Sequence, residues 1–132
     1  MSTGTQSILT TVKRTLGLEE DYTVFDQEVI LHINSVFGTL HQLGVGPVNG
    51  FEIEDADAIW SDFLNDDLTL SPVKSYMYLR VRMLFDPPTL GYIITAMQEQ
   101  IQELEWRINV VREDVMNLEA EDGEYILDGG SP

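Results

Sequence analysis

The chain has 132 residues, 23 Asp+Glu against 7 Lys+Arg and a formal net charge of −16. That length predicts one domain, and that charge argues against binding the DNA backbone by phosphate neutralisation. Cysteine is absent, which excludes disulfide scaffolds, thiolate metal sites and a Cys nucleophile. Hydrophobic residues make up 43% of the chain, enough to build a core. No run approaches the ~18 consecutive apolar residues of a membrane span. The N-terminal stretch also lacks the apolar core, about 7–15 residues long, of a secretory signal. A soluble, acidic, intracellular domain is expected.

In chain order, Ile8, Leu9, Val12 and Leu16 fall at helical spacing, with Gly17 placed to terminate the helix. Asp26 reads as the N-cap of a second helix, with Val29, Ile30, Ile33, Phe37 and Leu40 along one face. Gly44-Val45-Gly46-Pro47 ends it. Asn49-Gly50 signals a turn, and Phe51-Glu52-Ile53 alternates like a short strand. Asp55 is placed to cap a third, short helix that buries Ile59, Trp60, Phe63 and Leu64 and stops at Asn65-Asp66-Asp67.

Ser71-Pro72 predicts the start of a fourth helix, and Asp86-Pro87-Pro88 its end. Val73, Tyr76, Met77, Leu79, Val81, Leu84 and Phe85 make that helix apolar nearly all round, as in the middle of a bundle. Leu90, Ile94, Met97, Ile101, Leu104, Ile108, Val111, Val115 and Leu118 then alternate at spacings of four and three. This heptad seam predicts a helix over about 89–118, roughly 45 Å long, whose far end packs on another chain. A parallel homodimer is disfavoured, because it would oppose Arg107 to Arg112 and Asp114 to Glu119. The predicted fold is all-α: a bundle of four to five helices (1–118) followed by an extended acidic, Gly-rich C-terminal tail (119–132). In that tail Tyr125-Ile126-Leu127 could add a strand to a partner's sheet.

The charge is partitioned. Residues 19–72 hold twelve acids and no Lys or Arg, and residues 119–132 hold five acids and no base. Such a field governs solubility and partner choice, not fold. Motifs for catalysis are missing. His32 and His41, nine positions apart on one helix, point in opposite directions. Glu52, Glu54, Asp55 and Asp57 lack the glycine turn and distal Glu of a calcium loop. Arg80 and Arg82 are placed to neutralise Asp86 and their own helix end, and Trp60 and Trp106 to anchor a core or an interface.

Several stretches resemble the head-to-tail connector (adaptor) proteins of long-tailed double-stranded-DNA phages. They are Leu31-His32-Ile33-Asn34-Ser35-Val36-Phe37 with Gln42-Leu43-Gly44-Val45-Gly46-Pro47, and Trp60-Ser61-Asp62-Phe63-Leu64. Two more are the run from Val73-Lys74-Ser75-Tyr76-Met77-Tyr78 through Asp86-Pro87-Pro88, and Glu103-Leu104-Glu105-Trp106-Arg107-Ile108-Asn109-Val110. The resemblance spans roughly Ser7 to Glu113 and leaves out the tail.

It implies a structural virion subunit at the neck, assembled in the host cytoplasm as a dodecameric ring under the portal. The ring would extend the DNA channel and dock a stopper or tail-completion protein. It implies no catalytic or metal residue, no cofactor and no membrane partner, and DNA passes without specific binding. Channel-lining candidates are Glu52, Glu54, Asp55, Asp57, Asp66 and Asp67, since a channel should repel phosphate. Candidates for contact with the portal or a neighbouring subunit are Val111, Val115, Leu118, Tyr125, Ile126 and Leu127. The seam is expected to pack on the fourth helix near Leu90–Ile101. A second reading of the same charge, an acidic DNA mimic or inhibitor, stays open, and sedimentation separates it from a ring former.

Overall fold

The computed structural model describes residues 7–65 and 67–129, with residues 67, 112 and 114–129 described by their backbone. Five helices follow in order: α1 (Ile8–Thr15), α2 (Asp26–Gln42), α3 (Trp60–Phe63), α4 (Asp67–Phe85) and α5 (Gly91–Gly129). Among the described residues there is no strand, only an isolated antiparallel bridge between Ser7 and Ile59. No described helix is long and apolar enough to cross a membrane.

Two glycines stop helices by the same geometry. Gly17 and Gly44 adopt φ of 79° and 83°. The amide that follows each one reaches back over the last turn, Leu18 N–H to Lys13 C=O at 2.9 Å and Val45 N–H to Leu40 C=O at 2.9 Å. Only a residue without a Cβ enters this left-handed conformation freely.

The start of α1 is docked from a distance. Ser7 caps it, its Oγ accepting from the Thr10 N–H at 3.2 Å and donating to the Ala56 C=O at 2.8 Å. Ile8 N–H donates to the Ala58 C=O at 3.0 Å, and Trp60 Nε1 donates to Thr11 Oγ1 at 3.0 Å. Trp60 is therefore a core residue, 2% exposed with its polar atom satisfied. Phe37 lies against Phe63, Phe51 and Trp60, with ring centroids 4.6, 5.0 and 6.3 Å away.

Helix α4 is central, packed against α1, α2 and α5. Val73, Tyr76, Met77 and Val81 are buried, and Leu79 and Phe85 pack half-buried at the edge of the core. Leu84 points outward, so the apolar girdle read from the sequence is incomplete on one side. Helix α5 folds back on α4 as an antiparallel hairpin, through the loop that Asp86-Pro87-Pro88 forces.

Five local expectations are corrected. Asp26 is the first residue of α2, not its N-cap: its carboxylate turns inward to Lys13 at 2.8 Å. Phe51-Glu52-Ile53 forms no strand, because the Asn34 side chain takes both polar groups of Ile53. Asp55 does not cap α3; its Oδ1 accepts from the Asp57 N–H at 2.9 Å, and α3 begins only at Trp60. Pro72 lies inside α4 instead of opening it. The turn before the proline is kept because Thr69 is buried and Leu70 packs on the core. Arg80 reaches across to Glu105 at 3.6 Å, whereas Arg82 does hold its own helix end, Nε to the Asp86 C=O at 2.6 Å.

The seam is also shifted. Its deepest burial is at Ile101, Leu104 and Ile108 (9, 8 and 0% exposed), whereas Leu90 is 51% exposed. The five-residue loop after α4 carries Leu90 past the end of its partner helix, so packing begins further along. The backbone of α5 continues beyond Leu118 to Gly129 and is helical through 125–127.

Candidate assembly surfaces

The four described channel candidates come from one loop between α2 and α3. Glu52, Glu54, Asp55 and Asp57 are all exposed there. The loop is fixed from below. Asn34 Nδ2 donates to the Ile53 C=O at 3.0 Å, and the Ile53 N–H donates to Asn34 Oδ1 at 2.8 Å. This amide mimics the two-bond exchange of a strand pair and buries Ile53, 3% exposed, so that Glu52 and Glu54 stay in water. Gly46, at φ 96°, lets the preceding chain pass over the Phe63 ring, where a Cβ would collide. Asp66 and the side chain of Asp67 lie outside the described residues. Among the described residues no three His, Asp or Glu side chains converge as a metal ion would require. His32 is half-buried against Phe85 and His41 is exposed, so the two stay apart.

The interface candidates lie on α5. Val111 is half-buried and lines a groove of about 330 Å³ with Leu68, Pro72 and Leu104. That groove shares Ser75, Leu104 and Arg107 with a larger one of about 440 Å³ beside Tyr78 and Leu79. Since α4 begins at Asp67, Leu68 and Val111 mark the level at which α5 loses its partner helix. Residues 112–129 carry the α5 backbone a further ~27 Å past that level. The side chains of Val115, Leu118, Tyr125, Ile126 and Leu127 lie outside the described residues.

Two features escaped the heptad count. Trp106 is 67% exposed and Tyr92 73% exposed, so Trp106 is no core residue. The buried seam at Leu104 and Ile108 places position 106 on the opposite side of α5, and helical phase alone would have shown it. The second feature is a cluster at Tyr76. Its hydroxyl donates to Glu105 Oε2 at 2.7 Å and accepts from Arg80 Nη1 at 3.3 Å. Burial, and then the hydrogen bond to Glu105, push the Tyr76 phenol well above its ordinary pKa of 10.0. The arrangement locks α4 to α5 and offers no reactive group.

No curated relative and no solved structure matches the chain. One family model does, described as phage connector protein, and it spans residues 8–115, from the first residue of α1 into the distal half of α5. With an all-helical core, exposed acids on one loop and a helix that outgrows its partner, the chain belongs to the phage connector protein family, the structural proteins of the head-to-tail junction.

Proposed function

We propose that this chain is a non-enzymatic ring subunit of the phage neck, placed under the portal and extending the DNA channel toward the tail. The observation that carries the proposal is α5. Its backbone continues past the level of Leu68, near the start of α4, and in the sequence the apolar spacing of the seam runs on through Val111, Val115 and Leu118; an apolar seam extending past its partner helix calls for another chain. Copies of this chain or the portal supply that partner, with Tyr125, Ile126 and Leu127 extending the contact.

The acids act at the axis. Twelve copies, the number the family resemblance implies, bring about −190 of formal charge together, from −16 each. With Glu52, Glu54, Asp55, Asp57, Asp66 and Asp67 facing the lumen, like charge keeps the phosphate backbone off the wall and lets DNA slide. A stopper or tail-completion protein closes the far side of the ring.

A reconstruction of the particle neck tests this reading. The expected result is a closed ring of this chain directly under the portal, with the 52–57 loops on the lumen. A neutral or basic lumen would remove the channel assignment. A chain that sediments as a monomer or dimer and is missing from particles would support the DNA-mimic reading instead.

A further inference from the structure

We infer that the aromatic face made by the exposed Tyr22 and Phe25 against the half-buried Phe85 docks a basic, apolar segment of a different protein and not a second copy of this chain. This rests on the connector reading and names a partner chemistry that the reading leaves open. The face is continuous: Tyr22 lies edge-on to Phe25 (centroids 5.9 Å apart), and Phe25 edge-on to Phe85 (5.4 Å). Tyr22, Val24 and Phe25 are 43, 69 and 38% exposed, at the junction of the α1–α2 loop with the end of α4.

This is no loose loop that happens to carry aromatics. Lys13 is buried beneath it, its Nζ donating to the Glu20 C=O at 3.0 Å and the Tyr22 C=O at 2.8 Å, with Asp26 at 2.8 Å. Further bonds close it locally, Tyr22 N–H to the Glu19 C=O and Asp26 N–H to the Thr23 C=O. A buried lysine hydrogen-bonded to two loop carbonyls and ion-paired to Asp26 holds the aromatic residues in one arrangement. Such pre-organisation lowers the ordering cost of docking.

Charge selects the occupant. Glu19, Glu20 and Asp21 immediately precede Tyr22, and Glu28 stands one turn after Phe25, all of them exposed. A second copy is a poor match for this rim. Five of its six described cations are occupied: Lys13 inside, Lys74 over Trp60, Arg80 on Glu105, Arg82 on the Asp86 carbonyl and Arg107 on Glu103. Arg14 lies in a groove with Glu19 and Glu20 of its own chain. A segment with an apolar anchor flanked by Lys or Arg satisfies both the aromatic face and its rim.

Photo-crosslinking in assembling particles tests the inference. p-Benzoylphenylalanine is placed singly at positions 22, 25 and 35, the last being an exposed control on α2, and the linked peptides are identified by mass spectrometry. The expected result is linkage from 22 and 25, at least about 10-fold above 35, to a segment of another protein with more Lys and Arg than Asp and Glu. Neutralising the rim (Glu19→Gln, Glu20→Gln, Asp21→Asn), at exposed positions that leave the fold intact, should lower that yield severalfold. Linkage to a second copy, to an acidic segment, or at the control level from all three positions would overturn it, and so would a yield indifferent to the rim. Each of those results leaves the connector reading standing. If the chain is missing from particles altogether, that reading fails and the inference falls with it.

Discussion

The Nζ of Lys13 lies 2.8 Å from Oδ1 of Asp26, and the lysine side chain is only 3% exposed. That carboxylate oxygen is itself buried and accepts no well-aligned hydrogen bond, so the ammonium is its counter-charge. Removing one partner of a buried pair strands the other. Lys13→Met is expected to cost about 3–5 kcal/mol. Asp26→Asn should cost less, about 1–3 kcal/mol, because the two loop carbonyls still hold the lysine. Urea midpoints of the two single variants and the double variant check both values. Additive costs would show that the pair is not coupled.

Asn34 replaces a strand for Ile53. Asn34→Leu leaves a buried N–H and C=O unpaired and is expected to cost about 2–4 kcal/mol. Hydrogen exchange should speed up first at the Ile53 amide, before global unfolding, as the loop carrying Glu52 and Glu54 comes loose. Uniform acceleration throughout the chain would refute a local role.

Gly46 faces two penalties at once, a φ of 96° and a Cβ directed at the Phe63 ring. Gly46→Ala is expected to lose about 2–4 kcal/mol. Gly17→Ala meets open space and carries only the backbone penalty, about 1–2 kcal/mol. Thermal melts of the pair should rank Gly46→Ala lower.

Tyr76 makes stability sensitive to alkali. Its folded pKa is raised above the unfolded value of 10.0, so the folded state keeps a proton that the unfolded chain releases. The contribution is whole below pH 10 and fades as pH climbs above it, by up to about 1.4 kcal/mol per pH unit. Urea midpoints at pH 9 and 11 should therefore fall further for the native protein than for Tyr76→Phe. Equal falls would assign the alkaline loss to other groups.

Deleting residues 119–132 is expected to leave the urea midpoint unchanged, since among the described side chains the last buried seam residue is Ile108. Attachment to the portal should weaken. Undiminished attachment in a pull-down would place that contact elsewhere on the chain.

What could be read from the sequence were the features encoded within one or two helical turns. Gly17 and Gly44 ended helices where expected, and every apolar residue assigned to the inner face of α2 is buried, although Val36 was missed there and Thr10, Thr11 and Lys13 on α1. What escaped depends on distant partners. Asn34 and Ile53 stand nineteen residues apart and Thr11 and Trp60 forty-nine, and no local pattern announces either bond. Pro72 misled for the opposite reason: Ser-Pro is a strong local signal, yet Thr69 and Leu70 gain enough by burial to extend α4 past it. The acids of the 51–58 loop were legible as exposed because charge rarely enters a core unpaired. Whether any of them faces a lumen is a property of assembled copies, which a single chain does not encode locally.

The span of α5 beyond Val111 has a mechanical side. A rod ~27 Å long, fixed at one end in a packed hairpin, multiplies rotation: a tilt of about 10° where Leu68 meets Val111 sweeps the far end through about 5 Å. Small repacking between α4 and α5 therefore becomes a displacement comparable to a full helical turn at whatever the tip engages.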